Sequence, residues 1–119
     1  MSLLSRLFGG VPSVGAQEAR ALIDQGAGLV DVRSKSEWNT GHSPLAQHVA
    51  LDTLDQKARR IPKGKPVVVV CRTGNRSRRA TRHLRDAGYE AYNLSGGMNA
   101  WVRAGQAVVD RSGRPGRVG

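Results

Sequence analysis

The single cysteine of this 119-residue chain, Cys71, is followed at once by residues that favour an anionic sulfur. Arg72 and Arg76 are close in sequence, and Ser77 is a typical N-cap that predicts a helix start. The unpaired amides of a loop and of a first helical turn can converge on one point, where the helix end is also partly positive. We therefore expect the Cys71 thiol to ionise below its reference pKa of about 8.5 and to act as a nucleophile.

Short apolar runs, with glycines where each element should end, predict the strands and helices that carry this loop. Four consecutive valines before Cys71 are typical of a central strand that is covered on both faces. The other predicted strands are residues 29–32, a short one near Val49, and residues 90–94. The predicted helices are residues 15–26, a single turn at 34–38, and residues 52–61, 77–87 and 98–104. In the helix of residues 77–87, Ala80, Leu84 and Ala87 are expected to face the sheet. This alternation predicts an α/β sandwich, and Cys71 lies at a carboxyl strand end, where such sheets bind ligands.

The segment Cys71-Arg72-Thr73-Gly74-Asn75-Arg76-Ser77 resembles the active-site loop of the rhodanese family. Two further groups match the family's order and separations, so that the resemblance covers about residues 14–104. They are Asp31-Val32-Arg33 with Glu37-Trp38 and Gly41-His42, and Leu94-Ser95-Gly96-Gly97 with Trp101. One departure is Ser43-Pro44-Leu45-Ala46 with His48, which differs from the sequence that many members have there.

This resemblance implies a three-layer rhodanese fold, with a five-stranded, mostly parallel sheet and helices on both faces. It places the domain at residues 14–105, after an N-terminal arm of residues 1–13. Residues 106–119 contain Arg111, Arg114 and Arg117 among glycines and a proline, which favours a flexible basic tail.

The resemblance also implies sulfur transfer. Cys71 would take the outer sulfur of a small anionic donor such as thiosulfate and pass it, as a persulfide, to cyanide, a thiol or a partner protein. The backbone amides of residues 72–77 would hold the sulfur anion, with Arg72 and Arg76 orienting the donor. Asp31 and Arg33 would brace the loop. Displacement at sulfur needs neither a histidine base nor a metal or organic cofactor. The implied binding residues are Arg72, Thr73, Gly74, Asn75, Arg76 and Ser77.

Three other functions remain open from the sequence. A cysteine phosphatase or arsenate reductase usually has five residues between cysteine and arginine, whereas four separate Cys71 from Arg76. A second alternative is a rhodanese-like sulfur-relay or interaction module with little thiosulfate activity, although a non-catalytic interaction module usually lacks the cysteine. The arginines of residues 78–85 could bind nucleic acid, but no aromatic residues interleave them, and an acidic sulfur-relay protein fits this face better.

Composition limits the setting of this chemistry. The net charge of +10 attracts anions without selecting among them. One cysteine excludes an intramolecular disulfide, and we expect a reducing, cytoplasmic protein with neither a secretory signal nor a membrane span. The oligomeric state is not predicted.

Overall fold

Five strands form one parallel sheet in the computed structural model, which describes residues 10–119. They are β1 (Ser13–Val14), β2 (Gly28–Asp31), β3 (Gln47–His48), β4 (Val67–Val70) and β5 (Ala91–Leu94). Their order across the sheet is β1-β5-β4-β2-β3, and every neighbouring pair is parallel. The predicted five-stranded α/β fold is confirmed, and the sheet is parallel throughout rather than mostly so.

The central strand β4 places Cys71 at the carboxyl edge of the sheet. Its four valines are fully buried, and they alternate between the two cores on opposite faces. Asp31 pairs with Val70 in register, so β2 and β4 end at the same level. The segments that follow these two strands therefore meet at one edge of the sheet.

Helices cover both faces of the sheet. Within residues 10–119 they are α1 (Ala16–Asp24), α2 (Lys35–Thr40), α3 (Leu54–Lys57), α4 (Asn75–Asp86) and α5 (Gly97–Arg103), with 3₁₀ turns at Leu51–Thr53 and Ala58–Arg60. Residues of α1 and α5 join the core on one face, and residues of α3 and α4 join the core on the other. This arrangement gives the predicted three layers. No helix in the described part of the chain is long and apolar enough to cross a bilayer.

Three local predictions were wrong in detail. The single helix expected at residues 52–61 is the short α3 between two 3₁₀ turns. The strand expected near Val49 lies just before it, in β3. On α4, Ala80 and Leu84 face the core as predicted, but Ala87 is exposed because it caps the helix, and Thr81 is buried instead.

Helix α5 begins against the backbone of the Cys71 segment. The amide of Met98 donates to the carbonyl of Cys71 at 2.8 Å, and the amide of Asn99 donates to the carbonyl of Arg72 at 3.2 Å. Gly97 permits this approach because a Cβ there would overlap the carbonyl oxygen of Cys71. Its φ of +57° also lies in the left-handed region. Gly97, the first residue of α5, thus allows the helix to fix the start of the Cys71 loop.

The segment after α5 lies against the domain. Residues 106–119 were expected from their composition to form a flexible tail. In the structure, the backbones of His42 and Val109 exchange two hydrogen bonds, at 2.9 and 2.8 Å, and the amide of Arg117 donates to Thr40. These contacts join backbone groups, which composition does not encode. Of the predicted arm, residues 1–9 lie outside the described residues, and Ser13 belongs to β1.

We expect Gly97→Ala to destabilise the fold strongly. The added Cβ would meet the Cys71 and Arg72 carbonyls and would strain the backbone, at a combined cost of about 2–5 kcal/mol. Gly105→Ala is the matched control, because its φ is +81° but a Cβ there has open space; we expect about 1 kcal/mol. Chemical denaturation of both variants measures the difference, and equal losses would contradict the close approach.

Candidate active site

The loop after β4 closes on the sulfur of Cys71. The amide of Gly74 donates to Sγ at 3.1 Å, and the hydroxyl of Ser77 contacts Sγ at 3.2 Å. Gly74, with a φ of +113°, is the N-cap of α4, so the helix begins two residues before the predicted N-cap at Ser77. That prediction was wrong because the Ser77 side chain turns to the sulfur and to Asn93 rather than to the helix end. The loop glycine and the first helical turn therefore enclose one atom.

The sulfur is buried, yet its surroundings favour the thiolate. Cys71 is 1% exposed and packs against residues of the core on the α4 face. Burial raises the pKa of its thiol, but the hydrogen bond from the Ser77 hydroxyl and those from the amides of Ser77, Gly74 and Thr73 together outweigh that effect. The pKa of Cys71 is consequently lower than its ordinary value. The direction and the contribution of the loop amides match the sequence prediction, and the Ser77 hydroxyl is a further donor that the prediction did not name.

Arg76 is held by a carboxylate that the sequence analysis had not paired with it. Its two terminal nitrogens donate to Glu37 at 2.6 and 2.9 Å, in a forked ion pair. The hydrogen bond from Arg76 lowers the pKa of Glu37 to about 2, despite the opposing effect of burial. Glu37 is itself fixed by a capping box with Ser34 at the start of α2. Arg76 is thus a positioned charge beside the loop rather than a free side chain.

Asp31 and Arg33 form a closed pair at the end of β2. Arg33 donates to both carboxylate oxygens of Asp31 and, at 2.6 Å, to the carbonyl of Gly41. Both side chains are essentially inaccessible, at 0% and 1% exposed. A buried pair of this kind, with its hydrogen bonds made within the protein, ties β2 to the loop after α2. This geometry fits the bracing role expected for the pair, which stays a prediction.

The histidine side chains make structural contacts. A ring nitrogen of His42 lies 2.6 Å from the carbonyl of Trp38, and one of His48 lies 2.7 Å from the carbonyl of Arg33. Both rings stack on Trp38. His83 pairs with Asp55 at 2.6 Å. The unexpected His48 of the sequence therefore supports the backbone beside Arg33.

The remaining predicted site residues lie at the surface of the loop. Arg72, Thr73 and Asn75 are exposed, and Arg72 lines a cavity of about 180 Å³ together with Arg33 and Glu37. A groove of about 480 Å³ is lined by Arg76 and, among others, residues of the 50–52 turn. Within residues 10–119, no three side chains of the types that bind metals form a cluster able to hold an ion.

Sequence reasoning missed Asn93. This residue of β5 is 6% exposed, and its Oδ1 lies 2.5 Å from the hydroxyl oxygen of Ser77. The sequence did contain a signal, since Asn93 is the one side-chain amide in the strand Ala91–Leu94. A buried amide requires a hydrogen-bond partner, so its presence in a strand indicates a polar contact.

We expect Ser77→Ala to raise the pKa of Cys71 by about one unit, since a hydrogen bond to a charged group contributes about 1.5–3 kcal/mol. The thiolate fraction would then appear at higher pH. The pH dependence of iodoacetamide alkylation at the single cysteine measures the shift. Ser112→Ala, which removes a remote exposed hydroxyl bound to Asp110, is the control; equal midpoints for the two variants would contradict the role of Ser77.

Solved structures support the fold. A rhodanese-related protein from Thermoplasma volcanium matches with a TM-score of 0.76 and 26% identity, over 82% of this chain and 97% of that one. The Bacillus anthracis protein CoADR-RHD matches with a TM-score of 0.75 and 28% identity over 82% of this chain, which spans only 17% of that protein. A Rhodopseudomonas palustris protein described as a possible tyrosine phosphatase matches with a TM-score of 0.71 and 25% identity, over 81% and 83% of the two chains.

The family model of the Rhodanese-like domain matches residues 15–104, which include both strand ends and the whole loop around Cys71. Three-quarters of the sequence thus follow one family pattern, and Cys71 lies within the matched region. The chain belongs to the Rhodanese-like domain family.

Proposed function

We propose that the protein is a sulfurtransferase that carries a sulfur atom on Cys71 as a persulfide. The observation that carries the proposal is the enclosure of Sγ by the Gly74 amide and the Ser77 hydroxyl. These donors stabilise a sulfur anion, and an anionic sulfur is the nucleophile in displacement at sulfur. The membership of a family that includes sulfur-transfer proteins supports the same chemistry.

The reaction consists of two displacements. The Cys71 thiolate attacks the outer sulfur of thiosulfate; the new S–S bond forms as the bond to sulfite breaks, and sulfite leaves with the electron pair. A nucleophilic acceptor, such as cyanide or a thiolate, then attacks the outer sulfur of the persulfide. The Cys71 thiolate leaves and is regenerated. The net charge is the same before and after each step, and neither step requires an external oxidant.

The charged residues around the loop suit an anionic donor. Arg72 is exposed and lines the cavity of about 180 Å³ next to Glu37. Its guanidinium can bind sulfonate oxygens in the cavity. Arg76, whose charge is paired with Glu37, adds a fixed guanidinium beside the loop. The physiological acceptor in this proposal is a thiol or a sulfur-acceptor protein, and the reaction takes place in a reducing cytoplasmic compartment.

A phosphatase is the second candidate, because one structural neighbour is described as a possible tyrosine phosphatase. A phosphatase loop must surround a tetrahedral oxyanion with its amides. Here the Gly74 amide reaches the sulfur itself, and the loop has four residues between Cys71 and Arg76. The small enclosure favours a single sulfur atom over a phosphoryl group.

We expect the protein to gain the mass of one sulfur atom on incubation with thiosulfate. The adduct should be lost on addition of cyanide or dithiothreitol, with thiocyanate formed in the first case. Intact-mass spectrometry measures it, and Cys71→Ser is the control that should show none. The absence of an adduct with thiosulfate, with other sulfane donors and with a cysteine desulfurase would overturn sulfur transfer. Cysteine-dependent hydrolysis of p-nitrophenyl phosphate would favour the phosphatase instead.

The two loop arginines should contribute to donor use. We expect Arg72→Ala and Arg76→Ala each to lower kcat/KM for thiosulfate about tenfold or more, since each removes a charge-assisted contact or a nearby positive charge. Arg82→Ala, which removes an exposed arginine from the outer part of α4, should change it little. Steady-state formation of thiocyanate measures all three, and equal losses would contradict the roles assigned to the loop arginines.

A further inference from the structure

The hydroxyl of Ser77 lies between two acceptors. Its oxygen is 3.2 Å from the sulfur of Cys71 and 2.5 Å from Oδ1 of Asn93. A serine hydroxyl has a single proton, so it donates to only one of these atoms at a time. All three residues are buried, which leaves the choice of acceptor to the protein rather than to solvent.

The protonation state of the sulfur decides which acceptor receives this proton. When Cys71 is a thiol, its S–H donates to the Ser77 oxygen, and Ser77 donates to Oδ1 of Asn93. When Cys71 is a thiolate, the anion is the stronger acceptor and takes the Ser77 proton. The lone pairs of Ser77 then face Oδ1 across 2.5 Å without a proton between them. This arrangement is repulsive unless the amide changes.

A side-chain amide can remove that conflict without any movement of the backbone. Half a turn about the last side-chain bond of Asn93 replaces the carbonyl oxygen with the NH₂ group, which donates to Ser77. The backbone of Asn93 is fixed, because β5 pairs there with both β1 and β4. Few other side chains offer a donor and an acceptor of the same shape at the same place.

We propose that Asn93 is a positioning residue whose side-chain amide turns over when the sulfur of Cys71 becomes an anion, so that Ser77 donates to the sulfur in one state and to Asn93 in the other. Asn93 acts only through Ser77 and touches no substrate. This inference rests on the proposed function in one respect, namely that Cys71 acts as an anion. Its readouts are independent of sulfur transfer, so either proposal can fail alone.

The charged groups around the sulfur do not replace this arrangement. Arg76 from α4 is forked to Glu37 of α2, and Asp31 and Arg33 form a closed pair at the end of β2. Arg72 is exposed at the next position in the loop. On the side of β5 and β1, the paired residues are the neutral Asn93 and Ser13. None of these charged groups receives or donates the Ser77 proton.

The unmodified protein provides the first test. In ¹⁵N-labelled protein, the side-chain NH₂ resonances of Asn93 should shift with pH at the same midpoint as the ultraviolet absorbance of the Cys71 thiolate. The shift should be absent in Cys71→Ser and much smaller in Ser77→Ala, where the sulfur still ionises but the connecting hydroxyl is missing. Resonances that stay constant through the titration, or that shift equally in Ser77→Ala, would overturn the proposal.

A double-mutant cycle provides the second test. An aspartate at position 93 accepts the Ser77 proton but, when ionised, cannot donate in return, so Asn93→Asp should raise the Cys71 midpoint by more than about one pH unit. In the Ser77→Ala background only the through-space effect of the charge remains, and the shift should be roughly half as large or less. Equal shifts in both backgrounds would show that Asn93 does not act through Ser77 and would overturn the proposal.

Discussion

The structure of the site depends on one constraint: a sulfur anion has to be kept in a buried position at the end of the central strand. Burial alone favours the neutral thiol, and Cys71 is among the least exposed residues of the domain. The Gly74 amide and the Ser77 hydroxyl offset this effect by direct hydrogen bonds to Sγ. Both donors depend on the left-handed turn at Gly74, which starts α4 early enough to bring its first turn onto the sulfur.

The surrounding elements hold that turn from several sides. Helix α5 binds the backbone carbonyls of Cys71 and Arg72, and the close approach at Gly97 allows it to do so. The capping box of α2 fixes Glu37, and Glu37 holds Arg76. Each contact joins the loop to a different part of the chain. The loop is therefore fixed by tertiary contacts, and its short local sequence is not sufficient for that.

Fixed charges and a movable proton have separate roles in this arrangement. The pairs Glu37–Arg76 and Asp31–Arg33 are closed, so they set a constant electrostatic background around the loop. The Ser77 hydroxyl is the group whose hydrogen bond changes when the sulfur ionises. Asn93 lies behind it on a strand held from both sides, where a rotating amide can follow the change at little structural cost. This role explains why a polar amide is buried in β5.

The amino-acid sequence was enough to establish the α/β class, the central position of the valine strand and the place of Cys71 at its end, because apolar runs and the glycines between them are local signals. It also indicated the residues of the loop and the direction of the Cys71 pKa. The folded structure was needed to show that the Ser77 hydroxyl contacts the sulfur rather than capping the helix, that Arg76 is paired with Glu37, and that Asn93 contacts Ser77. Arg76 and Glu37 are 39 residues apart and Ser77 and Asn93 are 16 apart, and no local pattern specifies which side chains the folded sheet brings within hydrogen-bonding distance.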